Sequence, residues 1–254
     1  MNHISATHRR IAGFTLIEMA MVLFIVALLL GGLLPTISSQ VEQRHVNETR
    51  KQLDEIQQAL IGFAIINGRL PCPADGTTPT GQINAAGVPA GQEYKNPATG
   101  IPPYVCKNAV GVLPWATLGI NEADSWGRRY TYQVTANWAD SADGTAAGGC
   151  AITTGISFQL CSSANLIILS TVSGTAIASG IPAVVASHGK NGYGAYTPNG
   201  GAPLSTSPDA DEADNSDGDV NFVSKTPTPT FDDLVIWISP NTLMNRMVAA
   251  GKLP

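Results

Sequence analysis

Charge is scarce in this sequence, and so are the residues that chemistry usually needs. Only 13% of the 254 residues are charged, and the formal balance is −5. No basic patch stands out, which removes the electrostatic footprint of a nucleic-acid-binding surface. Histidine is scarce and the four cysteines include no Cys-x-x-Cys pair, so zinc has no obvious ligand set. The Gly-x-Ser-x-Gly of a hydrolase, a phosphate-binding loop and a zinc-helix motif are all missing. No internal repeat is present. His188 sits in a Gly-rich turn, but with no nucleophile motif beside it the residue reads as structural or exposed. The residues do not describe an enzyme.

What is abundant is apolar length near one end. Phe14 to Leu34 is a run of 21 residues. A helix of that length rises about 30 Å, one hydrocarbon core. Arg9 and Arg10 precede the run, and no acid comes before Glu18. Positive flanks stay in the cytoplasm, so the remaining chain should lie outside. Glu18 is the anomaly. A carboxylate near a helix centre costs roughly 2.5–3.5 kcal/mol on insertion. The cost falls near the end of the span, yet a plain anchor has no use for the acid. A secretory signal peptide would need a shorter apolar region and a small-x-small cut site. Leu33-Leu34-Pro35-Thr36 offers no such site. An uncleaved anchor with Glu18 reaching back to the interface is the simpler alternative.

The stretch Gly13-Phe14-Thr15-Leu16-Ile17-Glu18 follows a basic leader and opens an apolar helix. It resembles the class III, or prepilin, signal of the type IV pilins and type II secretion pseudopilins. Pro35 falls where these proteins often place a helix-bending proline. The resemblance implies that prepilin peptidase cleaves between Gly13 and Phe14 on the cytoplasmic side and methylates the new amine of Phe14. Gly13 suits this because it has no side chain to obstruct a close backbone approach. Glu18 would then meet the Phe14 ammonium of a neighbouring subunit. In low dielectric such a pair is attractive and offsets the burial of both charges. The implied partners are prepilin peptidase, other pilin or pseudopilin subunits, an inner-membrane assembly platform and membrane lipid. The implied location is the bacterial inner membrane, crossed once, with the globular part in the periplasm and later in a pilus or pseudopilus. Losing residues 1–13 deletes Arg9 and Arg10 and takes the side-chain charge from −5 to −7.

Thr36 to Asn67 continue the helix in amphipathic form. Ile37 and Val41 keep an apolar face, and Leu53, Ile56, Leu60 and Phe63 follow at helical spacing with Ala64 beside them. Asn67-Gly68 supplies a C-cap signal and Pro71 a stop. The helix should therefore run from Phe14 to about Ile66. Four segments follow from this: a cytoplasmic leader (1–13), a transmembrane and assembly helix (14–35), an amphipathic helix half (36–67) and an extracytoplasmic globular domain (68–254). The last is rich in Gly, Pro, Ser, Thr and Asn, which suits strands joined by long loops. The expected fold class is α+β, with the amphipathic half-helix packed on an antiparallel β-sheet domain. In the resembled family this is a lollipop architecture.

Cys72, Cys106, Cys150 and Cys161 all fall in the segment expected outside the cytoplasm, where disulfides form. Four cysteines allow three pairings, and sequence does not choose among them. Sequential pairing is the expectation. Cys72–Cys106 would staple the long loop after the helix, and Cys150–Cys161 would close a hairpin over Ala151–Phe158.

Asp124-Ser125-Trp126-Gly127-Arg128-Arg129-Tyr130-Thr131-Tyr132 reads as a tight turn at Gly127 followed by a strand. Trp126 is expected as a core anchor whose N–H meets a backbone carbonyl. The stretch resembles the Asp-Pro-Trp-Gly-x-Pro-Tyr-x-Tyr hairpin of major pseudopilins, with Ser125 and Arg129 in place of the prolines. In that family a strand, a Gly-rich Ca²⁺-binding loop and an acidic pair before Ile-x-x-Trp come next. Here Pro182–Gly192 and Asp232-Asp233-Leu234-Val235-Ile236-Trp237 echo those parts, although Asn191 stands where an acid is expected. Asp209, Asp211, Glu212, Asp214, Asp217 and Asp219 crowd eleven residues between them. Asp217, Asp219 and Asn221 have the alternate spacing that opens a calcium loop, but Phe222 replaces its Gly and Thr228 its closing acid. A solvated acidic loop is one reading. A Ca²⁺ site is the other, combining Asp232 or Asp233 with one or two of Asp217 and Asp219.

Pro240 to Gly251 reads as a short helix capped by Asn241 or Thr242, with Leu243, Met247 and Ala250 on one face. Two functions fit the whole. The first is a non-enzymatic filament subunit, a minor one given the size of its globular part. The second is a membrane-anchored extracytoplasmic binding protein or enzyme carrying a prepilin-like anchor.

Overall fold

The computed structural model describes residues 13–99, 101–141, 150 and 155–253; for residues 30–38 it describes the backbone alone. The chain divides into two units, Met1–Arg44 and His45–Pro254. The fold is α+β.

Helix α1 covers Leu16–Asn67. In the first unit its side chains are exposed: Phe14 is 83% and Leu16 91% accessible, and Ile17 to Leu29 show the same habit. Pro35 belongs to the residues whose side chains lie outside the description. Among the described residues no helix is long and apolar enough to cross a membrane.

In the second unit the amphipathic pattern becomes packing. Leu53, Ile56, Leu60 and Ala64 follow one another by three or four residues, so they stack on one face, and all four are buried. Fully burying each large side chain of that row contributes about 1.5–3 kcal/mol. Phe63 sits at the edge of the stripe and is half-buried, with the Arg69 guanidinium 5.2 Å from its ring centre. Gly68 ends the helix at φ +70°, its N–H bonded to the Ala64 carbonyl at 2.8 Å. A Cβ there would lie 1.9 Å from the Gly155 carbonyl oxygen, so glycine is required by sterics as well as by backbone angle.

Four strands form the central sheet: β3 (Val110–Val112), β4 (Thr131–Val134), β7 (Ala183–Ser187) and β9 (Leu234–Ile238), in the order β3-β4-β7-β9 and antiparallel throughout. A short ribbon, β1 (Lys95–Asn96) and β2 (Val105–Cys106), lies earlier in the chain. A second sheet holds β5 (Leu166–Leu169), β6 (Ala176–Ile181) and β8 (Asn221–Val223). The sheets are antiparallel, as expected, and among the described strands only the β5–β8 pair is parallel, a local departure from that pairing. The long segment between those strands makes the departure possible, because a parallel return needs a crossover of a dozen residues or more.

Every residue of β7 is buried, so the central sheet is covered on both faces. On one face Tyr130, Tyr132, Val185 and Ile238 pack against Leu53, Ile56 and Leu60 of α1. Tyr130 and Tyr132 keep their hydroxyls satisfied there, donating to Gln52 Oε1 at 2.8 Å and to the Pro71 carbonyl at 3.0 Å. On the other face Val184 joins Leu166, Ile168, Ile181 and Phe222. Short helices α2 (Trp115–Leu118) and α3 (Ala210–Asp214) sit in the connections.

Several expectations are corrected in detail. Trp126 is half-buried beside the core, but its Nε1–H has no partner among the described residues; its ring lies 5.8 Å from that of His45 instead. The last helix, α4, covers Pro240–Ala249 with Ser239 as N-cap, not Asn241 or Thr242, because Pro240 takes the first helical position, where its missing N–H costs nothing. Leu243 and Met247 are buried, whereas Ala250 lies past the last turn and is exposed. Disulfides join Cys72 to Cys106 and Cys150 to Cys161, the sequential pairing. Of the hairpin expected between the second pair, residues 151–154 lie outside the described residues; Phe158 is buried and stacks on Trp138 at 4.3 Å.

Candidate functional site

The helix start is shaped by two side chains. Thr15 donates to Glu18 Oε2 from both its backbone N–H and its Oγ1, each at 2.8 Å. Glu18 N–H returns to Thr15 Oγ1 at 3.3 Å. This is a reciprocal capping box, and Thr15-x-x-Glu18 before an apolar run is its sequence signature. The same acid that is an oddity in an apolar stretch is thus the last residue of a helix-start motif. Gly13 precedes it with nothing within 4 Å of where a Cβ would stand, so both sides of the Gly13–Phe14 bond are open.

The second candidate lies in the globular unit, where the turn after β7 meets the approach to β9. Strand β7 delivers His188 and then Gly189, at φ +53°; a Cβ on Gly189 would lie 2.4 Å from both the carbonyl oxygen and Oδ1 of Asp232. Arg128 holds the turn by donating to the Gly189 carbonyl at 3.0 Å. Asn191 then reaches across: its N–H donates to Asp232 Oδ2 at 3.0 Å and its amide to Glu212 Oε1 at 2.8 Å. Glu212 is buried, and its Oε2 accepts from Ser207 Oγ at 2.6 Å. Oxygen atoms of Glu212, Asp232 and Asp233 all lie within 4.8 Å of one another.

This crowding has an electrostatic consequence. Burial and then the neighbouring Glu212 charge, partly offset by the Asn191 N–H, push the Asp232 carboxyl up to about 6. Asp233 goes well above the usual carboxylate range for the same first reason, despite the Asn215 amide on its Oδ2 at 2.8 Å. Burial pulls His188 down to about 4, so the ring is neutral at pH 7 and its 3.9 Å approach to Asp233 is not an ion pair. Thr131 Oγ1 satisfies His188 Nε2 at 2.7 Å. Among the described residues three atoms at this place have no hydrogen-bond partner: His188 Nδ1, Asp232 Oδ1 and Asp233 Oδ1. Buried polar atoms left this way cost free energy unless something else meets them. A hard cation held by Glu212, Asp232 and Asp233 fits, since it takes oxygen ligands and would favour all three in the charged form.

The four acids singled out in the sequence are not brought together as one set. Asp232 and Asp233 cluster with Glu212, while Asp217 and Asp219 cluster with Asp214. Asn215, which follows Asp214 in the chain, donates to Asp233 and so touches both groups. Asn191, the missing acid, is a donor to the cluster rather than a member of it. Glu212 belongs to it from twenty residues away, and no spacing rule in the sequence points to that.

Residues 8–34 match the model of the prokaryotic N-terminal methylation motif. The chain carries a prepilin-type signal. That signal takes in Gly13, Phe14 and Glu18, and it implies processing by prepilin peptidase and assembly with other pilin-type subunits through a membrane-anchored N-terminus. No curated protein and no solved structure matches the chain.

Proposed function

We propose that this chain is a structural subunit of a type IV pilus-like or type II secretion pseudopilus filament, and a minor one. The observation that carries the reading is the prepilin-type signal, with Glu18 set at fixed distance from Phe14. Proteins marked by that signal are in general structural. On this reading cleavage falls between Gly13 and Phe14, Phe14 is N-methylated, and residues 14–35 hold the subunit in the inner membrane before they pack in the filament. The apolar side chains exposed from Phe14 to Leu29 then find cover from lipid first and from neighbouring helices afterwards. Glu18 meets the Phe14 ammonium of a neighbour and sets axial register. The globular unit faces the periplasm, where Cys72–Cys106 and Cys150–Cys161 persist as disulfides. Mass spectrometry of protein from native envelopes tests this: a mature chain beginning at N-methylated Phe14 is expected, and a chain retaining residues 1–13 overturns it.

The globular unit binds Ca²⁺ through Glu212, Asp232 and Asp233. The bound ion would cross-link the turn after β7 to the start of β9, so its role is rigidity of the subunit rather than chemistry. The unpartnered buried Oδ1 atoms of Asp232 and Asp233 support this. A thermal melt of the full-length chain in detergent should shift upward with Ca²⁺; an unchanged melt at millimolar Ca²⁺ removes the site.

A further inference from the structure

A second group of acids stands apart from the one just described. Asp214 closes α3, and Asp217 and Asp219 follow in the turn that leads to β8. An oxygen of each lies within 4.8 Å of the others. Asp217 and Asp219 are exposed, but Asp214 is only 8% accessible, and its buried Oδ2 has no hydrogen-bond partner among the described residues. A separate element supplies another orphan oxygen at the same turn. Gln133 of β4 is 4% accessible; its amide N–H donates to the Asp219 carbonyl at 2.7 Å, while its Oε1 has no partner among the described residues. A cavity of about 250 Å³ adjoins the turn, lined by Gln133, Thr131, Asn215, Ser216 and Gly218 among others. No ion pair or cationic side chain among the described residues answers these three carboxylates; the one nearby ion pair joins Lys225 to Asp211.

Exposed acids alone would relax into solvent. Here one of the three is held out of water with an unmet acceptor, and a neutral amide oxygen beside the turn is unmet too. Both deficits are deficits of positive charge or donor, which is what a hard cation supplies. Oxygen-only ligands of this kind, two of them exposed on a surface turn with water access, suit Ca²⁺ better than the rigid octahedron of Mg²⁺. We propose that Asp214, Asp217 and Asp219 form a second, independent Ca²⁺ site that pins the α3–β8 turn against β4. It goes beyond the proposed function and does not need the Glu212–Asp232–Asp233 site to be occupied.

Isothermal calorimetry with Ca²⁺ on the full-length chain in detergent separates the two. The double variant Asp217→Asn/Asp219→Asn keeps the side-chain oxygens that accept from the Asp219 and Asn221 backbone N–H groups, so the turn is retained; it loses the charge and the one hydrogen bond from the Asn221 amide to Asp219 Oδ2. Two binding events are expected for the native chain and one for that variant, with affinity for the lost event reduced at least about tenfold. Asp233→Asn should remove the other event and leave this one. Calcium binding that is unchanged in Asp217→Asn/Asp219→Asn overturns the second site. Binding that survives Asp233→Asn undiminished but vanishes in Asp217→Asn/Asp219→Asn upholds it and removes the first site instead. No measurable heat from the native chain at millimolar Ca²⁺ removes both.

Discussion

Thr15 and Glu18 cap one another at the first turn of α1, with Glu18 Oε2 accepting two hydrogen bonds from Thr15 at 2.8 Å. The acid therefore has an occupation inside its own chain. It satisfies a donor that the helix start leaves open, and it does so without any neighbour. On the proposed reading it also meets a second charge, the Phe14 ammonium of an adjoining subunit. Capping needs an acceptor; docking needs a negative charge. The two demands can be pulled apart by substitution.

Glu18→Gln keeps an acceptor for the cap and removes the charge. Thr15→Val removes the cap and keeps the charge. If docking governs assembly, Glu18→Gln should be cleaved normally yet be depleted from sheared filaments, while Thr15→Val enters them. Immunoblots of filament and membrane fractions read this directly. The opposite pattern would assign Glu18 to helix initiation alone.

The parts of this molecule that were legible in its sequence are those set by short-range rules. The row Leu53, Ile56, Leu60 and Ala64 shows in its spacing, and the stop at Asn67-Gly68 shows in a residue type that tolerates positive φ. The turn at Asp124–Arg128 and the buried Tyr130 and Tyr132 follow from strand alternation. What stayed hidden is what distant segments do for each other. Arg129 reads in the sequence only as a replacement for a proline. In the fold it is fully buried, bonded to Glu122 and to the carbonyls of Gly76 and Thr78, with its guanidinium 4.5 Å from the Trp115 ring centre. Glu212 joins Asp232 and Asp233 only because α3 folds back on the turn after β7. The acid-rich run was visible, but its division into two groups was not, because the division depends on which distant segment each acid meets.

Arg69 and Glu93 form a further buried ion pair, with two hydrogen bonds of 2.6 and 3.0 Å and side chains only 7% exposed. Burial opposes the charged form of Glu93, but the Arg69 contact, the Lys95 charge and the Cys72 N–H outweigh it and hold the carboxyl below its ordinary 4.5. A folded-state value below the unfolded one means that the unfolded chain binds more protons in that window, so stability falls as pH falls. The contribution is complete above about pH 4.5 and is lost as pH drops through the folded value. Melts at stepped pH should therefore fall more steeply below 4.5 for the native chain than for Glu93→Gln. Glu93→Ala, which strands the Arg69 charge, should cost roughly 3–5 kcal/mol at neutral pH. A variant with the native acid slope would remove Glu93 as its source.

Gly189 is the backbone hinge on which the cation reading turns. Its φ of +53° and the 2.4 Å approach to Asp232 leave no place for a methyl group. Gly189→Ala should destabilise the globular unit by at least about 1 kcal/mol. It should also shrink the Ca²⁺-induced rise in melting temperature, because Asp232 must move to make room. Loss of stability with an intact Ca²⁺ response would show that Asp232 does not hold the ion.

The two disulfides should differ in what they contribute. Cys72 and Cys106 are 34 residues apart, Cys150 and Cys161 only 11. In the chain-entropy account a cross-link restricts the unfolded ensemble more when it closes the longer loop, about 4 kcal/mol for the first pair and about 3 kcal/mol for the second. The longer bridge also ties the segment after α1 to β2, and Cys72 is fully buried in the core that α1 and the central sheet share. Replacing Cys72 and Cys106 by Ala should therefore lower the guanidinium midpoint further than replacing Cys150 and Cys161. Denaturant unfolding of the two double variants in the same detergent gives the comparison. An equal or larger loss from the shorter loop would mean that strain or contacts in the native state, rather than loop length, decide what each bridge is worth.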